Sequence, residues 1–427
     1  MHSSVHQTES LLFHVLLQLI VMIAAARGAN QLLRRLGQPG VIGEIIAGLL
    51  LGPSLFGHLF PDASGYLFAA AGSAVPITII SQIGLVLLMF QIGADFEFGH
   101  LTQPRNRNGM LAIAVCSVSI PFALGFLIGH SSAAYLAPGI DSLTYSLFFG
   151  VGLAITAVPI LGRILREFDL TSTEIGVVAI SAAAVNDVTG WVLLAGIAAY
   201  ASAQFSSSAI ALQVGGIVLL GVFAKFVLSR LVNWMLIKLP PEEGRVPLNL
   251  MTAILCLIFV MGICTYKLGI FTIFGGFLTG LLFHHNKVFV EAWRRQVGQF
   301  VLVFFLPVFF TYTGLRTNVL GLESASDWSW LAVVLAAAVL GKIIPVYAAS
   351  RVSGFSHQES TVLGCLMNTR ALMELIVLNI GFDLGFIPQN VFTMLVIMAV
   401  VTTIMTGPLL QVLLPRAGYR VPVGIEA

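Results

Sequence analysis

A chain of 427 residues that is 58% hydrophobic and only 9% charged is excluded from the soluble globular class, whose charged share is about a quarter. A mean hydropathy of +0.97 makes a bilayer its solvent. A net charge of +2, with no basic tract carrying interleaved aromatics, gives no electrostatic footprint for nucleic acid.

The N-terminal stretch MHSSVHQTES has neither the basic start nor the small-residue cleavage site of a signal peptide, so the first apolar run is expected to stay as a membrane span. Crossing about 30 Å of hydrocarbon takes roughly 20 helical residues. On that measure there are about thirteen candidate spans, near 11–33, 40–56, 75–94, 109–130, 143–166, 173–201, 209–237, 248–268, 270–286, 297–316, 329–351, 358–382 and 389–414. The second and ninth are the shortest.

Charges within such runs are the informative exceptions, because one at the bilayer centre costs about 2.5–3.5 kcal/mol on insertion scales. In the second span Glu44 follows Pro39 and Gly40, where a helix N-terminus favours an acid with no further role. Asp95 and Glu97, closing the third, read as a solvated loop face or as an acidic mouth that attracts cations. The fifth span, LFFGVGLAITAVPILGRIL, is interrupted at Thr156 and Pro159. Proline removes a backbone donor and clashes with the carbonyl four residues earlier, so the helix kinks or opens there.

The sixth span carries SAAAVNDVTGW at 181–191, with Asn186 and Asp187 near the midplane. An isolated carboxylate at that depth takes up a proton unless a cation or a base stands beside it. One such acid can hold a proton or a monovalent metal cation, but not both. Asn186, Thr156, Thr189 and water would add the neutral oxygens that suit a hard alkali ion.

Further along, Lys225 stands close enough to Arg230 to snorkel to the interface. His284 and His285 are an interfacial pair or a sensor of cytoplasmic pH. In the eleventh span Lys342 lies mid-run before Pro345, as partner or competitor of a carboxylate. The twelfth, ESTVLGCLMNTRALMELIVLNIG, is interrupted by Asn368, Thr369 and Arg370. Arg370 and Glu374, at i and i+4, either pair along one helical face or brace a crossing of broken helices. Cys116, Cys256, Cys264 and Cys365 have no disulfide or zinc spacing and read as packing residues.

Basic residues supply an orientation. Arg34 and Arg35, Arg105 and Arg107, Arg163 and Arg166, Arg294 and Arg295, and Arg416 and Arg420 fall on one set of alternating connections, against Lys267 and Arg316 on the other. The positive-inside rule then puts the N-terminus outside and the C-terminus in the cytoplasm. In this count the fifth and twelfth spans are oppositely oriented, as inverted-topology repeats require. Connections are short, and neither GxGxxG nor a P-loop lysine is present, so residues 1–427 are expected to form one transmembrane domain with no nucleotide-binding regulatory domain and no use of ATP. The YD and GxGD contexts of an intramembrane aspartyl protease and a TVGYG-like potassium filter are also missing, so neither an enzyme nor a channel is expected.

Six segments in shared order carry a family resemblance: GQPGVIGEIIAGLLLGPSLFG (37–57), QIGLVLLMFQIGADFEF (82–98), AITAVPILGRIL (154–165), SAAAVNDVTGWVLLA (181–195), LPVFFTYTGLRTN (306–318) and MNTRALMELIVLNIG (367–381). Together they resemble the CPA2 branch of the monovalent cation/proton antiporter superfamily, with its Kef-type and CHX-like members. The resemblance implies an all-α polytopic membrane protein with inverted repeats and two crossing broken helices, the NhaA-like antiporter fold. It implies a homodimer, each subunit with a scaffold and a mobile core, working by elevator-type alternating access. Asp187 would carry the cation or proton, with Asn186 beside it, Lys342 facing it, Thr156 contributed by the crossing helices, and Arg370 and Glu374 as supporting charges.

One departure matters, since many relatives have two acids where this chain has Asn186 and Asp187. A single carboxylate implies one-for-one, electroneutral exchange of Na+ or K+ for H+. The expected protein is thus a secondary active antiporter of a bacterial inner membrane, in contact with membrane lipid and without cofactor. The alternative is a sodium-coupled organic-solute symporter of similar architecture, which needs a roomier polar cavity.

Overall fold

In lipid a helix satisfies its backbone polar groups within its own segment, and apart from one isolated bridge between Glu242 and Arg245 the described residues form helices and turns. The computed structural model describes residues 2–35, 38, 40–68, 74–95, 104–171, 173–201, 215–216, 218–242, 244–268, 272–370 and 372–419. In chain order the helices are α1 (His2–Arg35), α2 (Gly40–Leu51), α3 (Phe56–Leu59), α4 (Pro61–Phe68), α5 (Ala74–Ala94), α6 (Pro104–Leu136), α7 (Ser142–Ala154), α8 (Val158–Glu167), α9 (Glu174–Ala201), α10 (Val218–Lys238), α11 (Leu248–Lys267), α12 (Thr272–Leu281), α13 (Lys287–Trp293), α14 (Leu306–Leu315), α15 (Ala325–Val352), α16 (His357–Met367), α17 (Leu372–Asp383) and α18 (Gln389–Arg416).

Among the described residues ten helices are long and apolar enough to cross a membrane. The other three expected spans coincide with the α7–α8 pair, the short α12 and the α16–α17 pair. The chain is a multi-pass membrane protein.

Contacts divide it into two compact units. One comprises Met1–Ala24, Pro61–Glu97 and Ala198–Tyr312; the other comprises Ala25–Phe60, Phe98–Ile197 and Thr313–Ala427. The first unit is organised on α5 and α12. Gly276 and Gly280, one turn apart on α12, face α5 so closely that an added Cβ would lie 2.3 Å from the Val86 carbonyl oxygen and 2.0 Å from that of Phe90. Small residues at this spacing let two backbones touch, the main way helices gain packing energy in lipid. Phe90 continues the contact into a cluster with Phe283, Phe289 and Trp293, its ring centroid 4.6 Å from that of Trp293. Asp95, partly exposed, is ion-paired, since Arg294 Nη2 donates to its Oδ1 at 2.7 Å. Glu97 lies outside the described residues, as do Pro39 and Arg420.

The second unit contains both broken helices. One stops at Ala154 and resumes at Val158, the other stops at Met367 and resumes at Leu372. Pro159 falls in the first turn of α8, where its missing N–H costs nothing. The breaks touch: the Ala157 N–H donates to the Thr369 carbonyl at 3.3 Å, and Thr156 Oγ1 donates to the Met367 carbonyl at 3.3 Å. In the same unit Glu44 departs from the expected helix-terminal acid. It is buried a full turn inside α2 and accepts from Asn30 Nδ2 of α1 at 2.8 Å.

Candidate functional site

A helix that stops inside a membrane leaves carbonyls at its C-terminal end and N–H groups at its N-terminal end, with matching partial charges. The crossing gathers two ends of each kind, and buried side chains meet them. Lys342 of α15 donates from Nζ to the carbonyl of Ala154, the last residue of α7, at 2.5 Å, and to the Ser117 carbonyl of α6 at 2.7 Å. Arg370 donates through Nη1 to the Gly152 carbonyl at 3.3 Å and through Nη2 to the Ala338 carbonyl at 3.2 Å. Its own N–H goes to Thr403 Oγ1 of α18 at 3.3 Å.

Arg370 therefore sits in the extended link between α16 and α17 and reaches across three other helices. Arg370 precedes the first residue of α17, Leu372, and the expected i,i+4 ion pair with Glu374 forms there alongside the brace across the crossing. Glu374 is 4.0 Å from Nη1, beyond hydrogen-bonding distance though close enough to balance the charge. Asn368, at the C-terminal end of α16, is 1% exposed, and neither polar atom of its amide is hydrogen-bonded among the described residues. At the far end of α17, Arg316 donates to Asn379 Oδ1 at 3.1 Å and ion-pairs with Asp383, anchoring that half-helix.

Asn186 and Asp187 enter from α9, both buried. Asn186 Nδ2 lies 2.9 Å from Ser117 Oγ and 3.3 Å from Thr156 Oγ1. Both hydroxyls commit their protons elsewhere, Ser117 to the Ala114 carbonyl and Thr156 to the Met367 carbonyl. They can only accept from Asn186, and this sets the amide with its NH2 toward them and Oδ1 turned away. Oδ1 of Asn186 and both carboxylate oxygens of Asp187 accept no hydrogen bond of ordinary geometry among the described residues. The Val158 N–H, at the positive end of α8, and the Lys342 ammonium lie within electrostatic reach of the carboxylate. Acceptor oxygens in such a place suit a proton or a hard monovalent cation as guest.

The geometry thus brings Thr156, Asn186, Asp187, Lys342, Arg370 and Glu374 to one crossing in one unit. Lys342 spends its hydrogen bonds on carbonyls rather than on Asp187. Thr189 does not join them; its hydroxyl donates to the Val185 carbonyl of its own helix at 2.8 Å. Sequence reading missed Ser117 and Thr403, each a small hydroxyl in an apolar run that carries no signal until a partner from another helix is known. Outside the crossing, His284 Nδ1 is 2.6 Å from the Leu281 carbonyl and its ring centroid lies 3.6 Å from that of His285. Lys225 is exposed at the surface of α10.

A family model described as "Sodium/hydrogen exchanger, transmembrane" matches residues 19–416. The chain is 37% identical over 409 residues to the Na(+)/H(+) antiporter NhaS4 of Synechocystis sp., covering 95% of this chain and 98% of that protein. It is 37% identical over 404 residues to Cation/H(+) antiporter 18 of Arabidopsis thaliana, covering 93% of this chain but only 48% of the plant protein. The fold is similar to that of the sodium proton antiporter MjNhaP1 of Methanocaldococcus jannaschii, with a TM-score of 0.63, 18% identity, and 94% and 96% of the two chains covered.

Proposed function

Because this chain belongs to the transmembrane sodium/hydrogen exchanger family, we propose that it is a secondary active antiporter, not an enzyme, that exchanges Na+ or K+ for H+ across a bacterial inner membrane. Asp187 is the carrier. It holds either the proton or the cation, while Asn186 Oδ1 and the remaining lone pair of Thr156 Oγ1 add neutral oxygens. The observation that carries this reading is the set of buried acceptor oxygens on Asn186 and Asp187 beside the broken helices, which accept no side-chain hydrogen bond among the described residues.

Replacing a carboxyl proton by a bound monovalent cation leaves the charge of the site unchanged. With Asp187 as the carrier acid, Glu374 balanced by Arg370 and Lys342 occupied by two carbonyls, the cycle is electroneutral, one cation for one proton. Transport is of the elevator type, and all six site residues belonging to one compact unit supports their moving together. The chain works as a single transmembrane domain with its N-terminus outside, and as a homodimer in the bilayer.

The test is full-length protein in liposomes under an imposed Na+ or K+ gradient, with internal pH followed with and without a voltage clamp. Cation-dependent proton movement that ignores voltage is expected. Its absence would sink the antiporter reading, and a response to voltage would sink the one-for-one stoichiometry. Asp187→Asn, which removes charge but not volume, is expected to reduce exchange to the level of protein-free liposomes while the thermal midpoint stays near wild type. Retained exchange would remove Asp187 as carrier.

A further inference from the structure

Lys342 makes its two hydrogen bonds to carbonyls on two different helices, and both carbonyls lack their regular helical donors for reasons written in the sequence. In an α-helix the carbonyl of residue i accepts from the N–H of residue i+4. Four residues after Ser117 stands Pro121, inside α6, and proline has no N–H. The other acceptor, Ala154, ends α7 where the chain leaves the helix. Carbonyls released by prolines and breaks in lipid must be satisfied by neighbouring groups, and a lysine on α15 meets both of these.

We propose that Pro121 is a positioning residue for Lys342: by withholding an N–H from the Ser117 carbonyl it dedicates that oxygen to the lysine ammonium. Ser117 then works twice, through its carbonyl on Lys342 and through its hydroxyl on Asn186, the neighbour of the carrier. One residue of α6 thus ties the placement of the lysine to that of the amide. The charged groups facing Lys342 are Asp187 from α9, Arg370 from the link before α17 and Glu374 from α17. Moving the ammonium among these charges alters the electrostatic field in which Asp187 trades its proton. This rests on the reading of Asp187 as carrier.

Pro121→Ala restores a backbone donor that competes with Lys342 for the Ser117 oxygen. The experiment is a double-mutant cycle on the full-length protein with Pro121→Ala, Lys342→Met and the pair, read by the pH of half-maximal exchange in liposomes and by the thermal midpoint in detergent. Pro121→Ala alone is expected to shift the exchange profile by roughly half a pH unit, about threefold in proton affinity. That shift is expected to vanish in the Lys342→Met background. If Lys342→Met itself stops transport, the thermal cycle decides, with the effect of Pro121→Ala on the midpoint expected to differ between the two backgrounds. Pro121→Gly, which also restores the N–H, replaces Pro121→Ala if the latter does not fold.

Equal effects of the proline substitution with and without Lys342, or no effect in either, would overturn the proposal and leave Pro121 as a kink alone. Failure of the carrier reading is separately visible. It would appear as exchange retained by Asp187→Asn, whereas coupling between positions 121 and 342 remains readable in the thermal cycle.

Discussion

Where α12 meets α5, glycines let two unbroken backbones touch; where α7–α8 crosses α16–α17, the backbones come apart and side chains hold them. Neither contact draws on the hydrophobic effect, since the alternative to protein contact is an equally apolar lipid tail. The first recovers energy by close approach, with so little room at Gly280 that an added Cβ would lie 2.0 Å from the Phe90 carbonyl oxygen. The second forfeits helical hydrogen bonds and replaces them with Lys342, Arg370 and hydroxyl groups. The difference teaches where each is vulnerable. A glycine contact fails on added volume, and a polar crossing fails on a lost donor or acceptor at constant volume.

The severest way to break the polar side of this contrast, after loss of transport in Asp187→Asn, is Arg370→Met. It keeps much of the volume but strips the Gly152 and Ala338 carbonyls of their guanidinium and leaves Glu374 without the cation 4.0 Å away. Removing one member of a buried ionic group costs about 3–5 kcal/mol, so a large fall in thermal midpoint is expected. A midpoint near wild type would mean that the crossing does not depend on this brace.

Gly280→Val tests the apolar side by volume alone. Its Cβ would start 2.0 Å from the Phe90 oxygen, and overpacking of this kind costs about 1–3 kcal/mol. Chemical denaturation should show the loss, and full tolerance would refute the tight contact.

Smaller still is Thr403→Val, which is isosteric and removes the hydroxyl that accepts from the Arg370 N–H and donates to the Ala399 carbonyl. A loss of about 1 kcal/mol is expected, with Thr403→Ser restoring wild-type stability. If serine and valine behave alike, the hydroxyl is not what holds the link.

The mildest test lies outside the crossing, at the head of the first broken helix. Asp141 caps α7, accepting from the Thr144 N–H and hydroxyl at 2.8 Å each, and these bonds hold its carboxyl below the ordinary value of 3.8. The depressed value means the contribution is present above pH 3.8 and is lost as pH falls through the lower folded-state value. Asparagine caps as well as aspartate but does not titrate. Wild type should therefore lose stability relative to Asp141→Asn on acidification, by no more than a few tenths of a kcal/mol because the carboxylate is solvent-exposed and screened, and parallel acid curves would show that the charge is irrelevant.

Much of this was legible along the chain. The apolar runs mark a membrane protein, because lipid tolerates little else. Pro159 and the Asn368–Arg370 interruption mark the two breaks, and the isolated acid at 187 marks the crossing, because each violates a local rule at visible cost. The same local reasoning misjudged residues whose partners are remote. Glu44 read as a helix-terminal acid and is held by Asn30 of another helix. For Arg370 local reasoning offered the i,i+4 ion pair with Glu374, which forms, but could not name the Gly152 and Ala338 carbonyls that take its other donors.

What the sequence by itself determined is the set of features that depend on chain-local physics: spans, interruptions, and which charges must be buried at a price. Tertiary structure alone decided which partner each buried polar or charged group takes. Lys342 went to two carbonyls, Asn186 to two hydroxyls, and Arg370 to two more helices. The reason is geometric. A hydrogen bond requires atoms within about 3 Å, and whether helices far apart in sequence bring a given pair that close depends on their rotation and depth, which no single segment encodes.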